Sequence, residues 1–249
     1  MKEIDWANLS FGYMKTDYNV RINFRNGAWG ELEVSSDEHL NLHMAATCLH
    51  YGQEAFEGLK AFRGKDGKVR IFRLEENAAR LQSTCQGILM AELPTERFKE
   101  AILKVVKLNE RFIPPYETGA SLYIRPLLIG TSAQVGVHPA NEYMFVVFVT
   151  PVGPYFKGGF STNPYVIIRE YDRAAPHGTG IYKVVVTMPP VFVPTKKRMT
   201  WVIPASSIST QKKRSISMSV ELPTSSVSKI TLISLRSQLP SSRLSRTRV

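Results

Sequence analysis

The residues best suited to chemistry fall in short, separated stretches. Tyr51 and Phe56 lie in a segment dense in aromatic, acidic, basic and glycine residues. Arg73 closes Ile71-Phe72-Arg73, and Tyr123 and Arg125 share Tyr123-Ile124-Arg125-Pro126. Lys183 ends Gly178-Thr179-Gly180-Ile181-Tyr182-Lys183. A lysine amine forms imines with carbonyl compounds, and burial or nearby cations lower its pKa so that it can move protons near neutrality. An arginine offers a planar fork of donors to phosphate or carboxylate. Aromatic walls suit a branched aliphatic side chain, and a tyrosine hydroxyl can hold a carboxylate. Each residue also has an ordinary reading: Lys183 on the surface, Arg73 at a strand end paired with Glu75 or Glu76, Phe56 as core packing, Arg125 in a structural ion pair. Cys48 and Cys85 have neither metal-ligand spacing nor the density of a disulfide scaffold, so no metal site is expected.

The elements that must hold these residues are readable from period and punctuation. Leu74, Ala78, Leu81, Cys85 and Leu89 recur at helical steps after Arg73. Leu93-Pro94-Thr95 gives a stop and a new N-cap, with Glu96 to Leu108 as a second helix bearing Phe98, Ile102, Val105 and Val106 on one face. Ser121–Gly130, Tyr143–Val149 and Tyr165–Arg169 read as strands, rich in β-branched and aromatic residues. Pro151-Val152-Gly153-Pro154 and Lys157-Gly158-Gly159 form a turn-dense connector, and 174–180 an irregular loop.

The net charge of +11 is unevenly spread. From Val184 onward there are 11 Lys or Arg and one acid, Glu221, against 21 basic and 20 acidic residues before it. The main body therefore has no electrostatic footprint for nucleic acid. Met1–Asp5 shows no basic start with an apolar run behind it, and no stretch approaches the roughly 18 to 20 apolar residues that span a bilayer. A soluble, cytoplasmic protein is expected. The last 66 residues hold 14 serines but no Gly, Asp, Asn, His, Tyr or Cys, and so lack most of the usual turn and cap formers.

Taken together, these stretches resemble branched-chain amino acid aminotransferases, of the fold-type IV class of pyridoxal-phosphate enzymes. The matching residues run from Leu49 through Phe62, then Ile71-Phe72-Arg73, Ser121 to Pro126, Val135-Gly136-Val137, 151–156 and 178–183, in order and spacing across nearly all of residues 1–183. The resemblance implies an α+β, two-domain fold. A small α/β N-terminal domain would cover 1–150, a linker and the start of the large cofactor domain 151–183, and a non-family tail 184–249. It implies pyridoxal 5′-phosphate as cofactor, bound covalently to Lys183, which then moves the proton between substrate Cα and C4′. Arg73 would hold the phosphate, while Tyr51, Phe56, Tyr123 and Arg125 would line the substrate pocket. The implied reaction exchanges the amino group of leucine, isoleucine or valine with 2-oxoglutarate, in a homodimer or larger assembly, without nucleic acid or membrane partners. Other fold-type IV enzymes, a D-amino acid aminotransferase or an aminodeoxychorismate lyase, are the alternatives. A non-enzymatic reading has Lys196-Lys197-Arg198 and Lys212-Lys213-Arg214 binding anionic partners.

The resemblance breaks after Lys183. The family continues Val-Gly-Gly-Asn-Tyr-Ala-Ala; this chain has Val184, then Val185-Val186-Thr187-Met188-Pro189-Pro190. Those last six can be encoded GTG GTA ACT ATG CCG CCA, and one G placed in front converts them to GGT GGT AAC TAT GCC GCC, or Gly-Gly-Asn-Tyr-Ala-Ala. Ser217–Ser226 can be encoded TCG ATG AGT GTG GAG CTG CCA ACT TCT TCG. In the same shifted frame this gives Asp-Glu-Cys-Gly-Ala-Ala-Asn-Phe-Phe, a second family signature in the right order. A one-base deletion near codon 184 or 185 would account for both, and for the composition of the tail. Such a chain is expected to lack most strands of the large domain, to be poorly ordered past 184, and to be inactive.

Overall fold

The computed structural model describes residues 4–154 and 177–188, together with the backbone of strands at 165–172, 205–209 and 216–217. Its centre is a seven-stranded antiparallel sheet built from β1 (Asn19–Arg25), β2 (Ala28–Ser35), β3 (Glu54–Phe56), β4 (Leu59–Arg63), β5 (Val69–Ile71), β6 (Ser121–Gly130) and β7 (Tyr143–Val152). The order is β2-β1-β7-β6-β4-β5, with β3 also on β6. A short helix α1 (Thr47–Tyr51) precedes β3, and α2 (Leu74–Gly87) and α3 (Thr95–Leu108) cross one face. A separate sheet joins β8 (Tyr165–Asp172) in parallel to β9 (Ala205–Ser209), with β10 (Ile216–Ser217) antiparallel on β9.

Alternation places Leu122, Ile124 and Leu128 of β6 and Phe145, Val147 and Val149 of β7 on the helix-covered face, all buried. They meet Leu74, Ala78, Leu81 and Cys85 from α2, and Phe98, Ala101, Ile102 and Val105 from α3, in one continuous core. The expected helical faces are thus present, with two corrections. Helix α2 ends at Gly87 rather than carrying Leu89 into the core. Leu89 takes φ +54°, and the Met90 N–H returns to the Cys85 carbonyl at 2.9 Å, closing a Schellman-type end that leaves Leu89 exposed and Met90 buried. The cap of α3 is Pro94, not Thr95, because the Pro94 carbonyl already accepts the Phe98 N–H at 3.0 Å.

Strand β7 also runs to Val152, two residues into the expected connector. Pro151 is tolerated there because β1 pairs β7 only as far as Val147, so the side that a missing N–H would face carries no strand. Pro126 meets the same need in another way. It lies where β6 passes from β4, paired up to Ile124, to β3, paired from Leu127. The partner chain is interrupted there at Glu57-Gly58, where the Glu57 N–H donates to the Pro126 carbonyl at 2.9 Å. The expected poor order of 184–249 lies outside the described residues, apart from 184–188 and the two short strands. No described helix is long and apolar enough to cross a membrane.

Candidate active site

The face of the sheet away from α2 and α3 carries most of the candidate residues. Phe56 on β3 and Tyr123 and Arg125 on β6 project from it. A short run of chain at 183–184 lies alongside β3: Ala55 bridges Val184, and the Phe56 N–H reaches the Lys183 carbonyl at 3.3 Å. This pairing sends Val184 into the core and Lys183 to the other side. The Lys183 Nζ stands 4.2 Å from the Phe56 ring centroid, and the Arg125 guanidinium lies 5.1 Å from the same centroid. An ammonium over a ring face is attracted by the ring's negative centre.

Arg125 also donates to the Tyr123 hydroxyl from Nε (3.2 Å) and Nη2 (3.0 Å). With its lone pairs engaged, that hydroxyl has its own proton to offer. Gly58 makes the room: a Cβ there would lie 2.6 Å from the Tyr123 oxygen. Phe11 closes over Tyr123 edge-on at 5.3 Å. Two charged groups that sequence reading passed over share this wall. Lys60 stands opposite Tyr123 in the β4–β6 register, and burial lowers its pKa. Glu54, one pleat from Phe56, has its carboxyl pushed up by burial. Both shifts report a partly dehydrated surface.

Helix α2 supports the wall from behind. Glu57 is fully buried and takes Arg80 in a two-bond fork (2.7 and 2.6 Å) and Asn77 Nδ2 at 2.8 Å. One turn beyond Arg80, Thr84 Oγ1 accepts the Lys183 N–H at 3.2 Å. Tyr182 packs against Gly87, where a Cβ would lie 2.1 Å from its ring.

The other two expected residues stand apart from this cluster. Tyr51 ends α1 and donates to the Val135 carbonyl, which joins the 49–62 and 135–137 stretches. It lines a cleft of about 330 Å³ with Gly52, Ile88, Val137, Val184 and Val186. Arg73 occupies the N-cap of α2 in a left-handed conformation (φ +50°, ψ +49°), with its guanidinium 3.1 Å from Glu76 and largely in solvent. Its geometry is therefore the ordinary pairing, in a backbone state uncommon for non-glycine residues. Eleven residues of helix, roughly 16 Å of rise, separate Arg73 from Thr84. Arg73 and the Thr84 that holds Lys183 thus stand towards opposite ends of α2.

No family model matches the chain. Curated relatives do. The chain is 49% identical over 184 residues to a branched-chain-amino-acid aminotransferase of Haemophilus influenzae, and 46% identical over 185 residues to one of Helicobacter pylori. These alignments cover 74% of this chain but 53% and 54% of those proteins, so the chain spans about half the length of the curated relatives it matches. Among solved structures, the branched-chain amino acid aminotransferase of Escherichia coli superposes with a TM-score of 0.61 at 19% identity, covering 79% of this chain and 60% of that one. That of T.th., solved with pyridoxamine 5′-phosphate, gives 0.58 at 21%, covering 76% and 59%. The fold is that of the fold-type IV aminotransferases. Within that class, sequence identity points to one group: over 184 to 185 residues the chain is similar to branched-chain amino acid aminotransferases.

Proposed function

We propose that residues 1–183 are the small domain and the opening of the large domain of a pyridoxal-phosphate-dependent aminotransferase for leucine, isoleucine and valine, with 2-oxoglutarate as amino acceptor. The observation that carries this reading is Lys183 on the Phe56 ring, beside a Tyr123 hydroxyl held by Arg125. The residues present fit the cofactor at two points. Lys183 offers an amine on a partly dehydrated wall. Arg73 offers a guanidinium whose exposed partner, Glu76, is readily exchanged for a phosphate. When bound, the cofactor supplies an electron sink for the substrate Cα. The chain's own part is to bind, orient and move the proton. Phe56 shields one side of the Lys183 amine from water and offers an apolar surface to a branched side chain. Tyr123 directs its hydroxyl proton at a carboxylate, and Arg125 keeps it aimed. Lys183 carries the proton to and from Cα.

Residues that would complete the site belong to the half of the family sequence that this chain does not share. The aligned length of 184 to 185 residues is close to the length of the segment that carries the family motifs, which supports a one-base deletion after it. Sequencing the DNA across codons 180–192 tests the frame: a base found there restores the family sequence, and its absence leaves the inactive chain. The functional reading is tested on the full chain by incubation with pyridoxal phosphate, borohydride reduction and peptide mass spectrometry. Label on Lys183 is expected, and label scattered over surface lysines alone would overturn the reading. A gene carrying the restored base should transaminate all three amino acids, and inactivity towards every one of them would sink the substrate assignment.

A further inference from the structure

The one charged side chain buried completely among the described residues, Glu57, does not touch the proposed pocket. Its partner Arg80 keeps 44% of its side chain in solvent, and an ion pair that dehydrates a carboxylate is weak evidence for stability, since apolar residues of the same volume often hold a fold as well. Its placement suggests another use. Glu57-Gly58 is the interruption between β3 and β4, and the two residues face opposite ways. Glu57 points to α2, where Arg80 and Asn77 grip both of its oxygens. Gly58 faces the pocket and gives the Tyr123 hydroxyl its space, while its carbonyl accepts a second bond from Asn77 at 3.4 Å. Asn77, Arg80 and Thr84 follow one another at helical steps along α2, and Thr84 holds the Lys183 amide.

We propose that Glu57 is a positioning residue: its grip on α2 fixes the Glu57-Gly58 interruption and so sets the Phe56 ring and the Tyr123 hydroxyl at their distance from Lys183. This rests on the functional reading above. Without the carboxylate the interruption is free to move relative to α2, while Lys183 stays tied to Thr84. The Phe56 backbone stays on the Lys183 carbonyl, but its ring and the Tyr123 hydroxyl lose their set position about the amine. The charged groups sharing the wall are Arg125 from β6, Lys60 from β4 and Glu54 from β3; α2 contributes Arg80, already committed to Glu57.

The experiment measures the rate of Lys183 labelling by pyridoxal phosphate and borohydride, as a function of pH, in the full chain and in Glu57→Gln. The expected result is a half-maximal pH displaced by about one unit, with the rate of labelling near neutrality changed about tenfold. Because Glu57→Gln leaves Arg80 with a weaker partner, the double variant Glu57→Leu/Arg80→Met removes both charges while keeping volume, and the same displacement is expected in it. A lower melting temperature with an unmoved pH profile in the double variant would make the pair merely structural and overturn the proposal. Absence of Lys183 label in the unaltered chain would instead remove the functional reading, and this inference with it.

Discussion

The two faces of β6 and β7 are made by alternate residues of the same strands, yet they do opposite work. Leu122, Ile124, Phe145, Val147 and Val149 look towards α2 and α3 and are sealed from water. Tyr123, Arg125, Phe148 and Thr150 look the other way and stay half-open or polar. A period of two thus separates stability from chemistry within one pair of strands: the core can be close-packed without touching the pocket, and the pocket can carry cations without entering the core. Glu57 is the exception, a charge on the apolar side, and it sits at the one point where the strand beside β6 is interrupted.

That separation can be broken most forcefully from the helix side. Phe98→Ala removes a ring that packs 5.8 Å from Phe145, and should lower the stability measured by denaturant unfolding by about 4 kcal/mol. A loss below about 1 kcal/mol would show that this face is not the core. A smaller and opposite change is expected at the start of α2. Arg73→Gly relieves the left-handed conformation and should stabilise by about 1 kcal/mol, while weakening the capture of pyridoxal phosphate measured by equilibrium dialysis. Unchanged retention would remove Arg73 from the site. On the open face, Tyr123→Phe should shift stability by less than about 1 kcal/mol. In the frame-restored enzyme it should raise KM for 2-oxoglutarate more than it lowers kcat, and an unaltered KM would deny the hydroxyl its carboxylate.

The smallest expected effect lies in the turn between β4 and β5. There the Arg70 guanidinium donates two bonds to Asp66, which lowers the carboxyl from its ordinary 3.8 to about 2. A depressed folded-state pKa contributes stability above the unfolded value and loses it as pH falls, so acid unfolding between roughly pH 4 and 2 should be slightly less steep in Asp66→Asn. Identical acid titrations would mean that this exposed pair contributes nothing.

Much of this arrangement was legible in the sequence, and the parts that were not share a cause. The spacing of Leu74, Ala78, Leu81 and Cys85, and of Phe98, Ile102 and Val105, marks both helices because each buries one face. The runs at 121–130 and 143–149 mark the central strands because they are rich in β-branched and aromatic residues. β1 and β2 went unread although Asn26-Gly27 carries the signal, both residues having positive φ in the tight turn that joins them. Phe56, Tyr123, Arg125 and Lys183 were named from motif, and the structure brings them together; Tyr51 and Arg73 were named with them and stand apart. The grip of Arg80 and Asn77 on Glu57 left no trace in the sequence. Nothing in local period tells a buried glutamate from an exposed one when its partners arrive about twenty positions later, on another element. Asn109 escaped notice for the same reason: it is buried, accepts the Asp17 and Tyr18 N–H groups and donates to the Tyr18 carbonyl.

The lodging of β1 between β2 and β7 has a consequence for biosynthesis. Val20 waits for Val147, so an emerging chain holds its first strand with one free edge until nearly all of the sheet has been translated, a topology that folds slowly and late. Once Val152 has left the ribosome, however, the sheet requires nothing further. A nascent chain would by then own every strand of the seven-stranded sheet. The chain beyond Val152 would thus emerge beside a sheet that is already closed.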